Sequence, residues 1–61
     1  MKIDPSKHNV YKILDDGFNQ LLDVVSIEVY ENPLCAKLIC VEEGILVSHM
    51  WDTRELYFAK R

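Results

Sequence analysis

The chain has 61 residues and a formal net charge of −3. A chain this short buries only about 60% of the surface that it exposes when unfolded, so we expect one domain, residues 1–61, with a small core. The 49% hydrophobic content favours a globular fold over an intrinsically disordered chain. This negative net charge repels the phosphate backbones of nucleic acids, so the composition does not favour nucleic-acid binding.

The sequence has no membrane signal. No apolar run reaches the roughly 18 residues that are needed to span a bilayer, and the segment after Met1 lacks the apolar region of a signal peptide. The two cysteines, Cys35 and Cys40, lie among apolar neighbours, as free cysteines of reducing compartments often do. We therefore expect a cytoplasmic protein with two free thiols and no membrane partner.

The first third of the chain predicts a helix over residues 5–23. Asp4 is a favourable N-cap and Pro5 a favourable first helical residue. On a helical wheel one side collects the apolar residues Val10, Tyr11, Ile13, Leu14, Phe18, Leu21, Leu22, Val24 and Val25. The alternative is a pair of strands joined by a turn at Asp15-Asp16-Gly17.

From Val25 onward the apolar period changes to two, which is typical of strands. The predicted strands are residues 25–30, 34–41 and 45–50, separated by Asn32-Pro33 and by Glu43-Gly44. Two-residue turns place Val25 opposite Cys40 and Cys40 opposite Val47. They also place Glu28 opposite Lys37, which is a favourable charge pair across the strands. The pattern therefore predicts a three-stranded antiparallel meander.

The C-terminal segment has two possible structures. Asp52 and Glu55 have the spacing of a capping box, which favours a short helix, whereas Tyr57-Phe58 favour a fourth strand. The predicted fold class is thus α+β: an N-terminal helix packed on a three-stranded antiparallel meander, with a short C-terminal helix or a fourth strand.

Strand alternation divides the meander into two faces. The face predicted to receive the helix contains Val25, Ile27, Val29, Ala36, Leu38, Cys40, Val47 and His49. One helix cannot cover the opposite face, and an uncovered apolar patch marks an interaction site. The predicted protein-binding residues are Tyr30, Lys37, Ile39, Val41, Leu46 and Met50.

The residues that could hold a metal are His8, Cys35, Cys40 and His49, since zinc takes nitrogen and sulfur ligands. Cys35 and Cys40 are an odd number of residues apart on one strand, so they should face opposite ways, and no Cys-x-x-Cys pair is present. The sequence also lacks a nucleophile beside a base and a glycine-rich phosphate loop. We expect no metal, no cofactor and no catalytic residue.

These observations predict a small non-enzymatic protein-protein interaction module that acts as a regulator, inhibitor or accessory subunit of a larger protein. Inhibitors that phages and mobile elements direct at host machinery are one associated class. The partner is expected to be a larger host protein or a second copy of the chain. The alternative is a dimeric nucleic-acid-associated regulator that uses the basic cluster of Arg54, Lys60 and Arg61.

Overall fold

The computed structural model describes residues 1–61 and contains seven strands and one short 3-10 turn. The strands are β1 (Lys2–Ile3), β2 (His8–Ile13), β3 (Asn19–Leu22), β4 (Val24–Tyr30), β5 (Cys35–Glu42), β6 (Ile45–Asp52) and β7 (Leu56–Lys60), and the 3-10 turn is Thr53–Glu55. No helix in the structure is long and apolar enough to cross a membrane.

The strands form two antiparallel sheets. The four-stranded sheet has the order β1-β4-β5-β6, and the three-stranded sheet has the order β3-β2-β7. The chain passes from one sheet to the other three times, through residues 4–7, at Asp23 and through the 3-10 turn. At Asp23 the Val41 N–H donates to the Asp23 carbonyl at 2.8 Å, which joins this passage to β5.

The predicted N-terminal helix is wrong, and with it the α+β fold class. Residues 8–22 form the β2–β3 hairpin, which is the alternative that the Asp15-Asp16-Gly17 turn offered. Gly17 has a φ of +88°, a left-handed conformation that a continuous helix does not contain, and the Phe18 N–H donates to the Asp16 carboxylate at 3.0 Å. The β-branched and aromatic residues of β2 fit a strand, so the one-sided helical wheel was coincidental.

The meander prediction is correct for its strands and most of its register. The observed partners include Ile27↔Leu38, Glu28↔Lys37, Val29↔Ala36, Leu38↔His49 and Cys40↔Val47. The Glu43-Gly44 turn has positive φ at both residues, 53° and 78°, as a two-residue hairpin turn requires.

One part of that register is wrong. A β-bulge between Val24 and Ser26 brings Val24, rather than Val25, opposite Cys40. Val24 consequently packs against the core, whereas Val25 is 49% exposed.

The C-terminal segment adopts the strand alternative and contains only a 3-10 turn where the helix was predicted. Asp52 and Glu55 form the expected capping box, but it closes only the three-residue 3-10 turn. The chain then continues as a strand, β7, which pairs with β2 and not with the meander. The predicted short helix is therefore absent, and the additional strand belongs to the second sheet.

The core lies between the two sheets. Six residues are buried: Val10, Ile27, Ala36, Leu38, Cys40 and Leu56. β5 supplies three of them at alternate positions, as expected of a central strand. Leu14, Phe18 and Leu21, which the helix prediction directed at the meander, are 36%, 72% and 59% exposed.

Candidate functional site

The predicted protein-binding residues lie on the outer face of the four-stranded sheet. Strand pairing places Lys37 beside Met50 and Val41 beside Leu46, with Ile39 between these pairs and opposite Ser48. Leu46 and Met50 are 65% and 58% exposed, while Ile39 and Val41 are half-buried. The structure thus brings five of the six residues into one continuous patch, which we call the outer patch: Lys37, Ile39, Val41, Leu46 and Met50.

Tyr30 lies at one end of this face, where it pairs with Cys35. A hydrogen bond with Glu28 raises the pKa of the Tyr30 phenol, and Glu28 in turn lies opposite Lys37. This end of the face is therefore polar, whereas the part formed by β5 and β6 is apolar.

β6 is the outermost strand of its sheet, so one side of its backbone has no strand partner. It is eight residues long, and Ile45 to Trp51 contain no aspartate, glutamate, lysine or arginine. Proteins usually protect such an edge with charges, prolines or a short strand. The free edge of β6 has none of these along its apolar stretch.

On the other side of the fold, a groove of about 480 Å³ opens between the sheets. It is lined by Lys12, Gln20, Leu21, Leu22 and Asp23 from the first half of the chain and by Cys40, Val41, Glu42, His49 and Trp51 from the second. Val41 of the outer patch therefore also borders this groove.

Three side chains with metal-binding atoms meet in the groove. The Sγ of Cys40, a carboxylate oxygen of Glu42 and a ring nitrogen of His49 lie within 4.8 Å of one another. The His49 Nε2 and the Glu42 Oε2 are 2.6 Å apart, a hydrogen bond. Cys40 is buried, His49 is half-buried and Glu42 is exposed, so the cluster extends from the core to the groove.

Aromatic packing fixes the orientation of His49. Its ring stacks on the Trp51 indole with 4.4 Å between centroids and 7° between planes. On the other side of the groove, the Lys12 ammonium lies 5.6 Å from the Trp51 ring centroid and 3.6 Å from the Glu55 carboxylate. Lys12 and Glu55 thus connect the β2 strand to the 3-10 turn beside the groove.

Cys40 does not have the properties of a nucleophile. Burial, together with the carboxylates of Glu42 and Asp23, raises the pKa of its thiol. The thiolate is the reactive form of cysteine, and catalytic cysteines lie in electropositive surroundings that lower the pKa. Cys40, Glu42 and His49 therefore resemble a catalytic triad in composition but not in electrostatics.

Of the four ligands considered from the sequence, the structure brings only Cys40 and His49 together. Cys35 and Cys40 are both free and lie an odd number of residues apart on β5, so their side chains leave the sheet on opposite faces. His8 is on β2, where its Nδ1 lies 3.1 Å from the Asp4 carbonyl oxygen.

Sequence reasoning missed Glu42 because Glu42-Glu43 looked like a solvated turn. A signal was present: Cys40 and Glu42 share a face by parity, and the predicted register already placed Cys40 opposite Val47, two residues from His49.

The basic cluster of the alternative function has local partners. The Arg54 guanidinium binds the Asp52 carboxylate through two hydrogen bonds, of 2.9 and 3.1 Å. The Arg61 Nε lies 3.5 Å from the His8 carbonyl oxygen, and Lys60 is exposed at the end of β7. Much of the charge of Arg54 is therefore balanced within the chain.

No known protein family, curated protein or solved structure matches this chain.

Proposed function

We propose that the chain is a non-enzymatic protein-binding module that accepts an extended apolar segment of a larger, basic partner along β6 and over the outer patch. The observation that carries the proposal is the uncharged stretch Ile45 to Trp51 on an edge strand, with Leu46 and Met50 exposed beside Ile39. An open edge offers backbone hydrogen bonds to an added strand, and the side chains beside it offer apolar contacts.

Charge favours a basic partner over a second copy. The chain carries a net charge of −3, so two copies repel while a basic protein is attracted. A partner strand with apolar residues in its centre and lysine or arginine at its ends avoids this repulsion.

Peptide titration followed by amide NMR tests the proposal. The probes are short peptides with alternating apolar residues, one version flanked by lysines and the other by glutamates. We expect the lysine-flanked peptide to bind more tightly, to shift the backbone amides of β6 and to protect them from hydrogen exchange. Shifts confined to β3, β2 and β7, or equal binding of both peptides, would contradict the proposal.

Leu46→Lys and Leu21→Lys form a matched pair of variants for this titration. Both leucines lie on edge strands and are 65% and 59% exposed, but they belong to different sheets. We expect both variants to fold, since exposed substitutions usually change stability by no more than about 0.5 kcal/mol. Only Leu46→Lys should lose binding, because it places an unpaired charge in the contact.

Light scattering on the purified chain, without peptide, tests whether the partner is instead a second copy of the chain. A monomer is expected at every practical concentration. A dimer that Leu46→Lys converts to a monomer would mean that the edge of β6 binds a second copy, and the basic partner would be wrong. A salt titration of peptide binding tests the contribution of charge separately. If low salt concentrations hardly weaken the binding, charge does not contribute to it.

A further inference from the structure

We propose that Cys40, Glu42 and His49 form a binding site for a Zn²⁺ ion in the groove between the two sheets. The site lies on the inner side of β5 and β6, opposite the outer patch, so it is independent of the proposed function.

The donor set selects the metal. A thiolate, an imidazole nitrogen and a carboxylate oxygen are the three ligand types that Zn²⁺ takes in proteins, at about 2.3, 2.0–2.1 and 2.0–2.2 Å. Mg²⁺ and Ca²⁺ prefer sets made of oxygen alone, so a cysteine in the set disfavours both. Among Zn²⁺, Mg²⁺ and Ca²⁺, zinc is therefore the ion that this combination fits.

The geometry needs little adjustment. The three donor atoms already lie within 4.8 Å of one another, so an ion between them would require only small side-chain movements to reach bonding distance. Three protein ligands leave the fourth tetrahedral position for a water molecule, and the groove of about 480 Å³ gives room for it and a path of entry.

The surroundings hold two of the ligands in place. Cys40 is on the central strand β5 and only 1% exposed, so its backbone and side chain have little freedom. The stacking of His49 on Trp51 fixes the plane of the imidazole ring. Sites on strands with packed ligands are more accurate than sites on loops, because less ordering is needed when the ion binds.

The contact between two of the ligands would change when the ion binds. The His49 Nε2 and the Glu42 Oε2, now 2.6 Å apart, would each turn from this hydrogen bond towards the metal.

Calorimetric titration of the chelator-treated full chain with Zn²⁺ tests the site, and Co²⁺ in place of zinc gives a spectroscopic readout. We expect one ion per chain and a thiolate-to-cobalt charge-transfer band. Cys40→Ser should abolish this band. Each of Cys40→Ser, Glu42→Gln and His49→Gln should weaken zinc binding by more than the roughly 10–100-fold that loss of an outer-sphere partner costs.

Each ligand has a control of its own residue type. Cys35→Ser, Glu43→Gln and His8→Gln remove the same chemical groups outside the cluster and should bind zinc as the unchanged chain does. Circular dichroism without metal establishes folding. If Cys40→Ser does not fold, Glu42→Gln and His49→Gln decide the matter, because their side chains are 49% and 27% exposed and should tolerate the change.

Three results would overturn the site. The first is the absence of zinc binding by the unchanged chain, and the second is binding that survives all three ligand substitutions. The third is loss of binding in a control variant, which would place the ion elsewhere. Added Mg²⁺ should not compete. Competition by Mg²⁺ would be a fourth result against the site, because Mg²⁺ prefers oxygen ligands and does not bind a thiolate well.

Discussion

The four-stranded sheet and the three-stranded sheet contribute unequally to the core. β4 and β5 supply four of the six buried residues, Ile27, Ala36, Leu38 and Cys40, whereas β2 and β7 supply only Val10 and Leu56. β3 supplies none, and the tip of its hairpin leaves Phe18 72% exposed. The four-stranded sheet therefore supplies most of the core, and the three-stranded sheet covers the inner face of the four-stranded sheet.

Because the four-stranded sheet supplies most of the core, we expect truncation of Leu38 to have the largest effect on stability. Leu38 is fully buried at the centre of β5, and truncation of a buried leucine costs about 2–5 kcal/mol. A domain of this size is expected to have only about 3–5 kcal/mol in total, so Leu38→Ala should be largely unfolded. Urea denaturation measures the change.

Leu21→Ala is the matched control on the covering sheet. It removes the same atoms from a side chain that is 59% exposed, so its cost should stay within about 0.5 kcal/mol. Equal destabilisation by the two variants would mean that the two sheets contribute equally to the core.

The bulge in β4 provides a second test, at adjacent residues. Val24 packs on the core, so Val24→Ala should cost about 1–2 kcal/mol at roughly 0.8 kcal/mol for each buried carbon. Val25 is 49% exposed, and Val25→Ala should change stability by no more than about 0.5 kcal/mol. Thermal unfolding of both variants checks the order. The reverse order would restore the unbulged register and move Val25 into the core.

Gly17→Ala distinguishes the hairpin from a helix by the sign of its effect. In a helix the replacement would stabilise the chain by about 1 kcal/mol. At the observed φ of +88° it should destabilise by about 1–2 kcal/mol. Backbone strain is the cause, because no heavy atom beyond the two adjacent residues lies within 4 Å of the added Cβ.

The control is Gly44→Ala, with a φ of +78° and the same open space, in a turn that both interpretations contain. It should destabilise similarly. A stabilising Gly17→Ala beside a destabilising Gly44→Ala would remove the β2–β3 hairpin and, with it, one wall of the groove.

The accuracy of prediction differed between the sheets for a physical reason. In the four-stranded sheet, strand alternation and the short turns were sufficient to predict the faces and all of the register except at the bulge between Val24 and Ser26. Short, half-exposed strands such as β3 leave apolar residues on both sides, and their spacing matched a helical wheel as well as a strand. The Asp16-Gly17 pair favoured the hairpin, whereas the one-sided helical wheel favoured the helix.

The two candidate sites also differ in how well the sequence predicts them. Parity and register were sufficient to place Lys37, Ile39, Val41, Leu46 and Met50 on one face. The groove could not be predicted, because it requires the second sheet, which the helix prediction replaced. Glu42 and His49 lie apart in the register, and only the folded structure brings their side chains within 2.6 Å.

The smallest expected effect concerns the passage between the sheets, where Asp52 caps the 3-10 turn. Hydrogen bonds from the Arg54 side chain and from its backbone N–H lower the pKa of the Asp52 carboxyl. A group whose pKa is lower in the folded state stabilises the fold above its ordinary value of about 3.9, and the contribution is lost as the pH falls through the lowered pKa. NMR titration of the carboxyl carbon should therefore give a value below the ordinary one.

Arg54→Gln removes the guanidinium and keeps the backbone donor, so the pKa of Asp52 should return part of the way towards its ordinary value. Lys60→Gln removes one cation elsewhere on the surface and should leave that pKa unchanged. If both variants raise the pKa of Asp52 equally, the pKa is lowered by the positive charge of the surface as a whole. It is then not lowered by the two hydrogen bonds from the Arg54 guanidinium. The contact of Arg54 with Asp52 would then contribute nothing specific to the passage from β6 to β7, which would depend instead on the burial of Leu56.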